Sequence, residues 1–209
     1  MAFSTWLAFF AASWAISFSP GPGAISAMAS GLKYGFRHGC WTIIGLQLGI
    51  LCQLTIVALG LGALLAASEL AFSAVKWVGV GYLVYLGVRQ FRTDAAPVAV
   101  EARPAGGHPI RDQLARGYLV NITNPKGTIF LLAVVPQFLD LGRPLAIQYV
   151  IIGATLCFTD LVAMSCYTSL ASRILRMLRQ PRHVRWLNRG FGALFILAGT
   201  VLATLSHKE

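Results

Sequence analysis

The chain has 209 residues, of which 56% are hydrophobic and only 11% charged, and its mean hydropathy is +0.68. A soluble domain carries about 25% charged residues, so this composition excludes an ordinary soluble protein and indicates an integral membrane protein. The net charge of +10 does not indicate a nucleic-acid partner, because the basic residues are concentrated between the apolar stretches.

Six long apolar stretches follow one another along the chain, each near or above the ~20 residues that a transmembrane helix requires. They cover residues 1–32, 39–68, 70–88, 117–139, 144–172 and 190–206. The charged residues inside them are Lys76, Lys126 and Asp160. The first stretch has no basic residue before Lys33, so we expect a membrane helix there rather than a cleaved signal peptide. The sequence predicts an all-α membrane protein with six transmembrane helices.

Proline and glycine interrupt the first and fourth stretches at matching places, 19–23 (Ser-Pro-Gly-Pro-Gly) and 124–127 (Asn-Pro-Lys-Gly). Proline lacks the backbone donor and blocks the helical bond four residues back, so each stretch should be a broken helix with free backbone groups. Paired breaks in two halves of a membrane protein point to a transporter's binding site. The alternative is that the prolines only kink the helices for packing.

The freed backbone at these breaks suits a zwitterion. N–H groups at a half-helix that begins at Pro22 and Gly23 would attract a carboxylate, and the carbonyls just before the break could accept from an ammonium. Lys126 adds a cation, and polar amides on neighbouring helices could line the same cavity. The candidate substrate-binding residues are Ser19, Pro20, Gly21, Pro22, Gly23, Gln53, Asn121, Asn124, Pro125 and Lys126.

Asp160 is the only acidic residue deep inside an apolar stretch. A carboxylate in the bilayer costs at least a few kcal/mol on insertion scales, so it should face the protein interior with a partner or a titrating role. We predict proton coupling at Asp160. The alternative is a static ion pair with Lys126 that ties two helices together.

The two halves of the chain resemble each other weakly. An offset of 105 places Ser19-Pro20 on Asn124-Pro125, and an offset of 111 aligns the glycine motifs of the third and sixth stretches. Because each half has three helices, the second copy must cross the membrane in the opposite sense, which is typical of inverted-repeat transporters. We expect a first repeat at 1–92, a cytoplasmic linker at 93–111 and a second repeat at 112–209.

Thirteen of the 17 Lys and Arg lie after the first, third and fifth stretches, on one predicted side of the membrane. This positive-inside asymmetry places those segments in the cytoplasm and both termini outside. The arginine-rich stretch 173–189 would also suit anionic lipid. A homodimer fits a bundle of six helices.

Several motifs resemble the LysE/RhtB family of amino-acid exporters and occur in the family's order. They are 19–23, 81–87 (Gly-Tyr-Leu-Val-Tyr-Leu-Gly), 124–126 with 136–138 (Pro-Gln-Phe), and 188–190 (Asn-Arg-Gly), which should open the sixth helix. The resemblance implies a bacterial inner-membrane translocator that exports amino acids or related metabolites, using the proton gradient. We expect no enzyme activity, no metal and no cofactor. The alternatives are a membrane channel and a structural membrane subunit that transports nothing.

Overall fold

The computed structural model describes residues 1–67, 69–92, 109–171, 173–174 and 180–205, and the regular structure in these ranges is entirely helical. The helices are α1 (Phe3–Phe18), α2 (Pro22–Ala67), α3 (Glu69–Arg92), α4 (Pro109–Ile122), α5 (Pro125–Val134), α6 (Leu145–Ser169) and α7 (Pro181–Leu205). A 3₁₀ turn, Val135–Phe138, continues α5. The all-α prediction is confirmed for the residues described.

Two described helices are long and apolar enough to cross a membrane, namely α6 and the part of α2 from Pro22 to Gly60. A third span exists if α4 and α5 are counted together, since this pair is bent by 51° at the 123–124 break. Helix α1 is apolar but has only 16 residues. The six predicted stretches therefore all coincide with helices, whereas six separate membrane spans stay a prediction.

Helix α2 reverses direction at Gly35, whose φ of 70° and ψ of 174° are not helical. In a straight helix, positions twelve apart are separated by ~18 Å. Here the Ser30 and Thr42 hydroxyls, twelve residues apart, are hydrogen bonded at 2.6 Å. The two segments of α2, before and after Gly35, therefore pack against each other. The sequence predicts a loop between the first two membrane helices, and a single glycine makes this connection because it accepts a positive φ.

Two predicted boundaries differ from the structure. The linker was expected to end at residue 111, but α4 begins at Pro109, and residues 93–108 lie outside the described ranges. The motif at 188–190 was expected to open the last helix, but α7 begins at Pro181. Proline is favoured at the first helical position, where its missing N–H has no intrahelical partner to lose, and both helices start in this way.

Glycines allow the helices to approach at backbone distance. A side chain at Gly31 would collide with the Thr168 backbone of α6, and one at Gly117 would collide with Thr42 of α2. Because lipid is as apolar as a leucine side chain, close packing of this kind is a main source of helix association in a membrane. Helix α2 thus packs against α4 and α6, while α3 packs against α5 and α7, and α1 against α6 and α7.

The buried apolar side chains form two clusters. The first cluster contains Phe9 of α1, Phe130 of α5 and Phe138 of the 3₁₀ turn. The second contains Met28 and Ile43 of α2 with side chains from the second half of α6. A cavity lined by residues of both proline breaks is also lined by side chains of both clusters.

Candidate functional site

The first break separates α1 from α2 and leaves the last carbonyls of α1 without helical partners. Helix α1 ends at Phe18, and α2 begins at Pro22. The Tyr167 hydroxyl of α6 donates to Phe18 O at 2.6 Å, and Lys126 Nζ of α5 donates to Ser19 O at 2.9 Å. Side chains from two other helices therefore satisfy the carbonyls that the break exposes.

The second break separates α4 from α5, and side chains again satisfy the backbone groups that it exposes. The Asn124 side chain caps α5, since its Oδ1 accepts the Lys126 N–H at 3.1 Å. Gln53 of α2 spans the break, because its Nε2 donates to Asn121 O at 2.9 Å, Ile122 O at 3.2 Å and Thr128 Oγ1 at 2.7 Å. Both halves of the broken helix are therefore fixed to α2.

The two breaks meet at a cavity of about 70 Å³, which is large enough for several water molecules. Eight of the eleven predicted site residues line it: Ser19, Gly21, Gly23, Gln53, Asn121, Asn124, Lys126 and Asp160. The three prolines, Pro20, Pro22 and Pro125, do not line the cavity. They shape the breaks and contribute no lining surface.

The two charged residues of the cavity have different hydrogen-bond partners. Asp160 is 8% exposed, and its Oδ2 accepts from Gln47 Nε2 of α2 at 2.7 Å. The ammonium of Lys126 is engaged by Ser19 O, and no ion pair joins Lys126 to Asp160 within 4.0 Å in the described part of the chain. The direct Asp160–Lys126 pair of the alternative reading is therefore not formed in this structure. The carbonyl expected to accept a substrate ammonium at the first break is occupied by Lys126 itself.

Sequence reasoning missed the apolar wall of the cavity and the partner of Asp160. The wall includes Phe130 and Leu131 of α5 with Leu156 and Met164 of α6. Helical spacing could have identified these residues, because each lies four positions from a predicted or neighbouring cavity residue and therefore on the same helix face. The reference residues are Lys126 and Gly127 on α5 and Asp160 on α6. Gln47 could not be assigned to Asp160 from the sequence, because the two residues are 113 positions apart in the chain and lie on different helices.

The cavity combines features that suit a small polar solute. The first turns of α2 and α5 contribute Gly23, Ala24, Lys126 and Gly127 to the lining, and first-turn N–H groups attract anions. The Ser19 Oγ and Gln53 Oε1 atoms are buried and have no hydrogen-bond partner within the part of the chain that the structure describes. A buried polar atom without a partner costs free energy, so a ligand that satisfies it gains affinity.

Comparison with known proteins identifies the family. The sequence model of the LysE type translocators matches residues 14–206. The chain belongs to the LysE type translocator family. The resemblance found in the motifs is therefore confirmed. No solved structure matches the chain.

Three relatives illustrate the family. A homoserine/homoserine lactone efflux protein of Salmonella typhimurium is 39% identical over 208 residues, which cover 99% of this chain and 100% of the relative. An uncharacterized membrane protein of Vibrio cholerae is 39% identical over 201 residues, 95% of this chain and 96% of the relative. A leucine efflux protein of an Enterobacter species is 24% identical over 188 residues, 89% of each. The similarity to these relatives thus extends over nearly the whole chain.

Proposed function

We propose that this LysE type translocator is a secondary exporter of amino acids or closely related small metabolites, with homoserine-like compounds first among them. The proposal is supported by full-length similarity to an efflux protein for homoserine and homoserine lactone and by weaker similarity to a leucine efflux protein. The observation that carries it is the single cavity shared by both proline breaks and two residues of opposite charge.

The cavity is complementary to a zwitterion. Lys126 and the first turn of α2 offer positive charge and N–H donors to a carboxylate, and Asp160 offers negative charge to an ammonium. The surrounding Phe130, Leu131 and Leu156 limit the size of the substrate and exclude water, which strengthens these interactions. We place the substrate carboxylate toward Lys126 and its ammonium toward Asp160.

Asp160 is the group that we propose to exchange the coupling proton. It lies in the cavity, so the substrate ammonium and a proton would compete for the same carboxylate. Such competition at one site is what a proton antiporter requires for alternating access. The hydrogen bond from Gln47 supports this role, because it holds the carboxylate in place while the occupant changes.

The helix packing supports an inverted repeat. If residues 1–92 and 112–209 are related by a pseudo-two-fold axis, α1 corresponds to α4 and α6 to the second segment of α2, and the packing of α1 against α6 indeed matches that of α4 against α2. Helices α3 and α7 cross reciprocally at Gly87 and Gly192, where a Cβ on either residue would lie 2.8 Å from the carbonyl oxygen of the other. These two glycines are 105 positions apart, which favours one offset of 105 over the predicted 111 for the third helices.

A transport assay with a charge-removal variant tests the function. Purified protein in liposomes preloaded with L-homoserine should exchange it for external radiolabelled homoserine in a saturable manner. Lys126→Met, which keeps an unbranched side chain of similar length but removes the charge and the donor to Ser19 O, should raise the KM by roughly 10-fold or more.

Lys33→Met is the matched control, because Lys33 lies on the exposed turn between the two segments of α2. It should leave transport unchanged. Flux that does not saturate would favour a channel, and the absence of flux for every amino acid tried would favour a structural subunit; either result contradicts the exporter.

A further inference from the structure

We propose that the amides of Gln53, Asn121 and Asn124 form a subsite around Gly127 that recognises a hydroxyl group on the substrate side chain. A methyl group built onto Gly127 would lie 3.3 Å from Gln53 Oε1 and 3.9 Å from both Asn121 Oδ1 and Asn124 Nδ2. Three polar atoms from α2, α4 and the α5 cap therefore converge on one small volume, and all three residues line the cavity together with Gly127.

The orientation of each amide is fixed by a hydrogen bond at its other end. The Gln53 Nε2 atom is directed at the α4 carbonyls and Thr128, so Oε1 faces Gly127. Asn121 Nδ2 donates to Leu46 O at 2.7 Å, which leaves its Oδ1 toward the cavity. Asn124 Oδ1 accepts the Lys126 N–H, which leaves its Nδ2 toward the cavity. The subsite is therefore rigid and offers two acceptors and one donor.

An unsatisfied acceptor points to the ligand. Gln53 is 4% exposed, and its Oε1 has no hydrogen-bond partner among the described residues. A hydroxyl can donate to this oxygen while it accepts from Asn124 Nδ2, whereas a methyl group can do neither. A side chain without a polar group would leave Gln53 Oε1 unpaired, which is the situation in which a binding site discriminates most strongly.

Gly127 supplies the space for this recognition. It lies in the first turn of α5, where any larger residue would fill the subsite, yet its helical backbone would accept alanine or serine. This inference rests on the proposed function and adds to it the part of the site that distinguishes homoserine-like substrates from aliphatic ones.

Homoserine and 2-aminobutyrate are a matched pair of probes, because they differ only in the terminal hydroxyl. In liposome exchange, the wild type should show a kcat/KM at least ~10-fold higher for homoserine than for 2-aminobutyrate. Gly127→Ser places a hydroxyl within reach of Gln53 Oε1 and occupies the subsite. It should bring the ratio to about one or below, mainly through loss of homoserine transport.

Two further variants complete the test. Gly127→Ala fills the space without supplying a hydroxyl and should also lower the ratio, so the prediction does not depend on Gly127→Ser folding. Gly60→Ala, in α2, should keep the wild-type ratio, because beyond the backbone of its own helix no atom of the described residues lies within 4 Å of the added methyl. A wild type that transports both probes equally, or a Gly127→Ala ratio equal to wild type, overturns the subsite alone. A wild type that transports no amino acid overturns both the subsite and the proposed function.

Discussion

Charged residues in apolar helices were the part of the site that the sequence identified most directly. Lys126 and Asp160 stand out because burying a charge in a membrane is costly unless the residue has a partner or a function. The structure places both on one cavity. Their actual partners, Ser19 O and Gln47, could not be predicted, because each contact joins helices that are distant in the chain.

The subsite at Gly127 was beyond sequence reasoning for a related reason. Gln53, Asn121 and Asn124 were each candidates for the cavity, but an amide in a membrane helix serves equally well as interhelical glue. Which end of each amide faces the cavity depends on backbone acceptors supplied by α2, α4 and the break. Only the folded structure provides that information.

At the residue scale, we predict that Asp160→Asn separates exchange from coupling. Asparagine has nearly the shape of aspartate and can still accept from Gln47 Nε2, but it cannot bind and release a proton. Exchange of internal for external homoserine should persist, while accumulation driven by an imposed pH gradient should be lost. Both are measured in the same liposomes.

Asp140→Asn is the control for that prediction. Asp140 is a carboxylate outside the cavity lining, and it forms an exposed ion pair with Arg143 at 3.1 Å. Its loss should not affect accumulation, since an exposed pair contributes little. Continued proton-driven accumulation by Asp160→Asn would make Asp160 a structural residue.

At the element scale, the breaks were predictable because their cause is local. Proline acts on its own helix turn, so residues 19–23 and 124–127 identify the interruptions without knowledge of the fold. The reversal at Gly35 was predicted as an ordinary loop, since the sequence does not reveal that one glycine suffices. The start of α7 was missed although Pro181 was available as a first-position proline.

We predict that a continuous α4–α5 helix cannot transport. The double variant Asn124→Ala/Pro125→Ala removes the cap and the proline together, and alanine in place of a helix-interior proline favours a continuous helix by about 3 kcal/mol. Straightening the 51° bend would remove the Gln53 bonds that span the break and move Lys126 away from Ser19 O. Expression and detergent-purified yield should remain, while homoserine exchange is abolished.

The corresponding control is Pro144→Ala. Pro144 is exposed and precedes α6, far from the cavity lining, so its replacement should leave exchange intact. Pro20→Ala tests the first break in the same way and should also abolish exchange. Near-wild-type exchange by the double variant would reduce the second break to a packing kink.

At the scale of the whole molecule, composition predicted the membrane class and the charge distribution predicted the orientation. The apolar stretches coincide with helices, and the family assignment confirms a membrane translocator. The orientation is a property of the protein in its bilayer, so it follows from the positive-inside rule rather than from contacts between helices. The homodimer, the lipid contact of residues 173–189 and the inner-membrane location stay predictions, because they too are properties of the protein in its bilayer.

The orientation can be tested with single cysteines in intact cells. The four native cysteines, which form no disulfide, would first be replaced. Gln180→Cys lies on an exposed residue in the basic stretch before α7, and Arg103→Cys lies in the predicted linker. Both should react with a membrane-impermeant maleimide only after the cells are opened, because arginine-rich segments are retained in the cytoplasm.

Gly142→Cys, in the exposed turn between the 3₁₀ segment and α6, is the opposite-side control and should be labelled in intact cells. Epitope tags joined to Met1 and Glu209 should likewise be accessible from outside, because an even number of spans returns the chain to the side on which it began. An odd number of spans would place the two tags on opposite sides. Labelling of Gln180→Cys or Arg103→Cys from outside would reverse the orientation and, with it, the side from which the cavity receives substrate for export.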